Sequence, residues 1–104
     1  MNNFGFVFAT KILVEGRKKI RFMYREQSGD PDDSGWRFFC GDEDQEYTDN
    51  PDNIGVYDVN TILEIDDSIL PLLYTPSGIA FERENERAPF TVSKSFTFGD
   101  EEVD

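Results

Sequence analysis

A chain of 104 residues with ten Phe, four Tyr and one Trp is long enough, and apolar enough, to form one domain with its own core. The complete absence of His removes the commonest general base and the commonest metal ligand, which argues against most enzyme classes. The net charge of −12 argues against binding to nucleic acid or anionic membranes and favours a basic protein partner, although acidity also serves solubility alone.

The charge is distributed unevenly along the chain. Residues 1–29 carry six basic and two acidic side chains, a local charge of +4. Residues 30–52 carry nine acidic side chains and one basic, a local charge of −8, and residues 53–104 carry eleven acidic and three basic, again −8. The chain begins without the basic region of a signal peptide, has no run of about 18 apolar residues and has a single Cys, so we expect a cytoplasmic protein that does not span a membrane.

The first predicted element is a strand in which Phe4, Phe6 and Phe8 alternate with smaller residues and form one buried face. The segment 10–15 is ambiguous. It either continues this strand or forms one helical turn capped by Thr10.

The second predicted strand covers residues 18–26 and alternates with a period of two. We expect Ile20, Phe22 and Tyr24 to face inward, and Lys19, Arg21, Met23 and Arg25 to face outward. Together with Arg17 and Lys18, the outward basic row either binds phosphate or pairs with acidic residues of the same chain. We favour pairing within the chain, because the alternation is typical of an ordinary strand surface.

A loop of turn-forming residues follows over 27–35. Asp30, Asp32 and Ser34 imitate the first half of a calcium-binding loop, but the twelfth position is Gly41, where that motif requires a bidentate Glu. Hydrogen-bonded Asx turns are therefore the favoured interpretation, and no metal site is predicted here.

A short strand over 36–40 places apolar residues on both of its faces, which indicates a central strand. Trp36 is either part of the core or an exposed hot spot for a partner, and the core is favoured. Cys40 has no His to activate it and lies on the apolar side, so we expect a buried, inert thiol.

The later elements are a strand at 54–57, a helical segment at about 58–75, a strand at 78–83 and an edge strand that contains Phe90, Val92, Phe96 and Phe98 with Lys94. The helical segment carries apolar residues at spacings of three and four, so it is expected to pack on the sheet. The pattern predicts an α+β fold, with a mostly antiparallel sheet and one short helical segment packed on it. We expect a single domain over 1–99 and a frayed acidic tail over 100–104.

An acidic connector between the strands is the candidate partner-binding surface. Its expected contact residues are Asp42, Glu43, Asp44, Glu46, Tyr47 and Asp49, held rigid from below by Trp36, Phe38 and Phe22. The alternative is a metal-binding regulatory protein or a small hydrolase that uses the Asp/Glu cluster at 42–52. No nucleophile lies beside a base, so no catalytic residue and no cofactor is predicted.

Several short motifs also resemble a known family. They are Tyr24-Arg25-Glu26, Asp33-Ser-Gly-Trp-Arg-Phe-Phe, Gly41-Asp-Glu, Tyr47, Asn50-Pro51, Asn53-Ile54 and Ile69-Leu-Pro-Leu-Leu. Over roughly residues 6–83 the chain resembles immunity family thirty-three of the bacterial polymorphic toxin systems. The resemblance implies a small α+β protein that binds a cognate toxin and blocks it, and it implies no catalytic residue.

Overall fold

Six strands form one mixed sheet in the structure, a computed structural model that describes residues 4–94. The strands are β1 (Phe6–Thr10), β2 (Phe22–Arg25), β3 (Asp33–Phe39), β4 (Ile54–Asp58), β5 (Ile79–Glu82) and β6 (Thr91–Val92). Their order across the sheet is β4-β1-β3-β2-β5-β6. Only β1 and β3 pair in parallel within residues 4–94, and the other neighbours are antiparallel. The predicted α+β class with a mostly antiparallel sheet is consistent with this topology.

The helical part is larger than the sequence predicted. It consists of α1 (Lys11–Glu15), α2 (Gln45–Asp49), α3 (Val59–Ile65) and two 3-10 helices, Pro51–Asn53 and Asp67–Tyr74. The single helical segment predicted at 58–75 corresponds to α3 and the longer 3-10 helix. The predicted number of helical segments was therefore too small. Two of the additional helices are capped by side chains: Asp44 accepts from the backbone N–H of Tyr47 at the start of α2, and Asn50 accepts from that of Asp52 at the start of the shorter 3-10 helix. Helix α1 follows Thr10, whose side chain makes no capping hydrogen bond.

One face of the sheet is covered by α1, α3 and the longer 3-10 helix, and this layer encloses the core. In β1 the buried residues are Val7 and Ala9, whereas Phe6 and Phe8 are only half-buried. The predicted buried face of Phe4, Phe6 and Phe8 was therefore wrong. The residues between them face the helices, where a smaller side chain leaves room for a helix to lie close to the sheet.

The alternation predicted for β2 was also wrong. Met23 is fully buried against the helical layer, and Phe22 and Tyr24 lie on the opposite face. Ile20 is buried but precedes the strand, where its backbone N–H donates to Oδ2 of Asp66 at 3.0 Å. Because regular pairing begins only at Phe22, a period of two cannot be continued from Ile20 into the strand.

Two arginines attach the helical layer to the sheet. Arg83 of the segment after β5 donates to Asp66 at 2.7 Å, with both side chains only 5% exposed. Arg25 donates to the carbonyl oxygen of Thr75 at 2.8 Å and lies over the ring of Trp36, 5.7 Å from its centroid. These contacts hold the longer 3-10 helix in place although Pro71 interrupts its backbone bonding.

The far edge of the sheet is β6, which places Val92 on an edge strand as predicted. Phe96, Phe98 and the tail predicted over 100–104 lie outside the described residues. No helix within residues 4–94 is both long and apolar enough to cross a bilayer.

Candidate functional site

The predicted acidic contact residues fall on α2 and the loop that precedes it, at the end of β3. Residues 42–49, here called the acidic segment, lie where β3 ends and the chain turns toward the edge strand β4. Asp44 accepts a hydrogen bond from the backbone N–H of Tyr47 at 2.8 Å and so begins α2. Asp44 is itself exposed, so its carboxylate combines a structural role with a charge at the surface.

Glu43 is turned inward rather than toward solvent. Its two carboxylate oxygens accept from the backbone N–H groups of Cys40 and Gly41, at 3.0 and 2.9 Å, and from the hydroxyl of Thr10. Burial alone would raise the pKa of Glu43, but these donors outweigh it and lower the pKa. Glu43 therefore closes the end of β3 against β1, and little of its charge is offered to a partner.

Tyr47 is half-buried and tied to the fold. Its hydroxyl accepts from the backbone N–H of Ile12 at 3.2 Å, and its carbonyl oxygen accepts from Nδ2 of Asn53 at 2.8 Å. Its ring thus joins α2 to α1. The sequence predicted Tyr47 as a contact residue of the acidic connector, and it could not show this hydroxyl contact with α1.

Asp42, Glu46 and Asp49 are the exposed carboxylates of the acidic segment beside Asp44. Asp42 forms a solvent-exposed ion pair with Lys18 at 3.2 Å, and Asp49 accepts from Nε2 of Gln45 at 2.8 Å. Among residues 4–94, no three His, Cys, Asp or Glu side chains form a group that could hold a metal ion.

The basic row predicted on β2 makes few ion pairs. Lys18 pairs with Asp42, but Arg17 and Lys19 donate instead to main-chain carbonyl oxygens, at the end of α3. Arg21 donates to the carbonyl oxygen of Glu84. The row therefore attaches loops and helices to one another more than it neutralises the acidic segment.

The face of the sheet opposite the helices carries five half-buried aromatic rings, which were not predicted as a site from the sequence. This aromatic face consists of Phe6, Phe8, Phe22, Tyr24 and Phe39. Tyr24 and Phe39 stack with their centroids 5.9 Å apart, and Phe22 lies 5.8 Å from Phe39. Beside them on β4, Val56 is 60% exposed. The period-two spacing of these rings was the available signal, but it had been assigned to the core.

Arg37 lies buried at the centre of this aromatic face. Its Nη2 is 2.9 Å from Oδ2 of Asp33, its Nε is 2.7 Å from Oε2 of Glu26, and its guanidinium lies 4.2 Å from the ring centroid of Phe8. The hydrogen bonds from Arg37 hold the pKa of Asp33 at about 2, although burial alone would raise it. With two carboxylates and a ring as partners, Arg37 is satisfied within the chain.

A groove of about 730 Å³ connects the aromatic face to the acidic segment. Its lining includes Phe8, Phe22, Tyr24, Phe39, Ile54, Arg37, Glu26, Glu43, Asp44, Gln45 and Thr48. A second depression of about 510 Å³ shares Phe8, Thr48 and Ile54 with this groove and adds Asp49 and Pro51. The lining therefore combines aromatic rings with carboxylates.

Of the residues predicted to support the surface, Trp36 and Phe38 are fully buried on the helical side of the sheet. The core interpretation of Trp36 is confirmed, and its indole N–H donates to the carbonyl oxygen of Leu73 at 3.2 Å. Phe22 instead lines the groove. Burial raises the pKa of the Cys40 thiol to about 11, as expected for an unreactive thiol.

The loop before β3 contains Asx-type turns. Asp30 accepts from the backbone N–H of Asp32 at 2.9 Å, and Asp33 accepts from that of Gly35 at 2.9 Å. Of the three residues that imitate a calcium loop, Asp30 thus accepts from nearby main chain, and the hydroxyl of Ser34 accepts from the backbone N–H of Trp36 at 3.0 Å, as the turn interpretation predicted.

Comparison with known proteins identifies one family. Residues 7–93 match the family described as the Immunity protein Imm33 domain, which confirms the resemblance found over residues 6–83. No curated protein and no solved structure matches the chain. Because the match extends over most of the chain, from the first strand to the last, this protein belongs to the Imm33 immunity protein family.

Proposed function

We propose that this protein binds a cognate bacterial toxin in the cytoplasm and neutralises it without catalysing a reaction, and that the toxin is a basic protein that docks on the acidic segment. Membership of the immunity family carries this proposal, because it implies a toxin partner. The absence of His and the high pKa of the Cys40 thiol support action by binding rather than by chemistry.

The charge of the acidic segment supports a basic partner. The proposed contact residues are Asp42, Glu43, Asp44, Glu46, Tyr47 and Asp49. The exposed carboxylates among them steer a basic protein toward this side of the molecule and raise its association rate above the neutral range of about 10⁵–10⁶ M⁻¹s⁻¹. The inward-facing Glu43 contributes by holding the loop.

The test is coexpression with a toxin domain whose gene adjoins the gene of this protein, followed by measurement of affinity at several salt concentrations. Wild-type protein should restore growth and bind the toxin with an affinity that falls as salt rises. The double variant Glu46→Lys/Asp49→Lys should associate about tenfold more slowly at low salt, because each substitution reverses an exposed charge.

A matched control makes the result specific. Asp32→Lys/Glu64→Lys changes the net charge equally at exposed positions outside the acidic segment. If neither double variant changes the association rate, the acidic segment is not the contact surface. If the wild-type protein neither binds the toxin nor restores growth, the immunity function itself is refuted.

A further inference from the structure

The aromatic face is an unusual surface for so acidic a chain. Five rings lie side by side on a sheet face and remain partly exposed, although the chain carries a net charge of −12. Aromatic residues supply much of the binding energy at protein interfaces, since each ring buries a large area at little cost in conformational entropy. The centroids of neighbouring rings lie 5.7–6.0 Å apart, so the rings already pack against one another and the surface is preformed.

The position of the groove beside an edge strand favours an extended occupant. The two depressions share Phe8, Thr48 and Ile54, so they adjoin and together form one channel between the aromatic face and α2. The channel continues toward β4, an edge strand of the sheet. A partly apolar channel that runs to an edge strand favours a peptide segment in extended conformation, because such a segment can place alternate side chains in the channel beside the strand.

The charge of the channel selects the chemistry of that segment. Four carboxylates line it, those of Glu26, Glu43, Asp44 and Asp49, against the single guanidinium of Arg37, which leaves a net charge of −3. Glu26 is paired with Arg37 and Glu43 is turned inward, so Asp44 and Asp49 are the exposed carboxylates among these four. Arg37 is already paired, so it offers no site for an anion. A cationic side chain, in contrast, finds ring faces for its stem and carboxylates for its charged end.

Two other occupants are disfavoured by the same charges. A second copy of the chain would bring another net charge of −12 against this surface. The segment 95–104 of the same chain contains Phe96 and Phe98, but also four acidic side chains and no basic one. Like charges brought together across an interface oppose both kinds of contact.

We propose that the channel binds an extended arginine- or lysine-bearing segment of a protein partner, with the aliphatic stem of each cationic side chain along the aromatic face and its charged end at Asp44 and Asp49. The inference rests on the proposed function in one respect, that this partner is the toxin. It goes further by assigning the apolar contact to the open sheet face and by specifying a cationic segment.

The first experiment titrates isotope-labelled, full-length protein with the peptide acetyl-Thr-Arg-Val-Arg-Thr-amide and follows amide chemical shifts. The shifts should cluster at Phe8, Tyr24, Phe39 and Asp44, and at low salt the peptide should bind at least about fivefold tighter than its glutamine counterpart, because two cationic groups meet carboxylates. Equal binding of the two peptides, or shifts confined to other surfaces, would overturn the proposal.

Matched variants separate the ring contact from the charge contact. Phe39→Thr keeps a strand-forming residue but removes a ring, and should weaken peptide binding about tenfold. Tyr74→Thr removes a ring that is 66% exposed outside the channel and should leave binding unchanged. Asp44→Asn keeps the cap of α2 and should weaken binding roughly two- to fivefold, whereas Asp58→Asn, the same change at the cap of α3, should not.

The competing occupants have their own signatures. A full-length Phe96→Ser/Phe98→Ser variant that binds the peptide much more tightly than wild type would identify segment 95–104 as the occupant and refute the proposal. A dimer that is observed by sedimentation and dissociates in the Phe39→Thr variant would identify a second copy of the chain as the occupant, and this result would also refute the proposal. A monomer with unchanged affinity in the tail variant supports the cationic segment.

The toxin measurements keep this proposal distinct from the proposed function. If the toxin binds and Phe39→Thr leaves its affinity unchanged while the acidic-segment variant weakens it, the channel proposal fails and the immunity function stands. If the toxin does not bind at all, the immunity function fails, and the peptide titration alone decides the channel proposal. Circular dichroism of each variant shows that the fold is intact.

Discussion

The ion pair between Asp33 and Arg37 yields the sharpest prediction about stability. Asp33 lies at the start of β3 with its side chain 5% exposed, and Nη1 and Nη2 of Arg37 each donate to it at 2.9 Å. These bonds lower the pKa of Asp33 from 3.8 to about 2. Asp33→Asn removes the negative charge while keeping an oxygen that can accept from the backbone N–H of Gly35.

The magnitude follows from proton linkage. A pKa lowered in the folded state contributes stability that is complete above the unfolded value and is lost as pH falls through the folded value. The difference of nearly two pKa units corresponds to about 2 kcal/mol at pH 7, about 1 kcal/mol at pH 3 and less than about half a kcal/mol at pH 2. Wild type and Asp33→Asn should therefore differ in free energy of unfolding most at neutral pH and converge in acid.

Urea denaturation of both proteins between pH 7 and pH 3 measures this difference. Asp32→Asn, a neighbouring exposed carboxylate, is the control and should change stability by less than about 0.5 kcal/mol. An NMR titration of the Asp33 carboxyl carbon gives the pKa directly. A midpoint near 3.8, or a stability difference that does not decrease in acid, would show that the Arg37 contact does not stabilise the charged form.

Three further predictions concern other parts of the fold. Gly35→Ala should destabilise the protein by more than about 2 kcal/mol in urea denaturation, because Gly35 has a φ of +89° and an added Cβ would lie 2.2 Å from a carbonyl oxygen. The control Gly29→Ala, where an added Cβ meets nothing within 4 Å, should leave stability unchanged, and equal effects of the two substitutions would contradict this prediction. Arg83→Met should lower the free energy of unfolding by about 3–5 kcal/mol in the same assay, since it leaves the carboxylate of Asp66 buried without its cation. A loss below about 1 kcal/mol would contradict the expected penalty for an unpaired buried charge. Cys40 should react with iodoacetamide slowly in the native protein at pH 8 and rapidly once unfolded, because its pKa is about 11; equal rates would rule out a protected thiol.

Much of the architecture was predictable from short-range signals. The turn-forming residues predicted a strand after them, although β3 begins at Asp33 and not at residue 36 as predicted. Asp58 begins α3 by accepting from the backbone N–H of Asn60, a local capping signal. The buried position of Trp36 also followed from local pattern. What failed was the assignment of faces, since Met23 is buried and Tyr24 is not fully so.

The amino-acid sequence by itself determined the fold class, the family and the acidic charge of the segment between β3 and β4, because composition, turn chemistry and motif spacing are local properties. Only the tertiary structure decided which face of each strand meets the helices and which carboxylates remain at the surface. Glu43 and Asp44 are adjacent and chemically alike, yet one is turned toward Thr10 and Cys40 while the other remains exposed. A strand with apolar residues on both faces fits either orientation, and the choice depends on which helices pack on it from elsewhere in the chain.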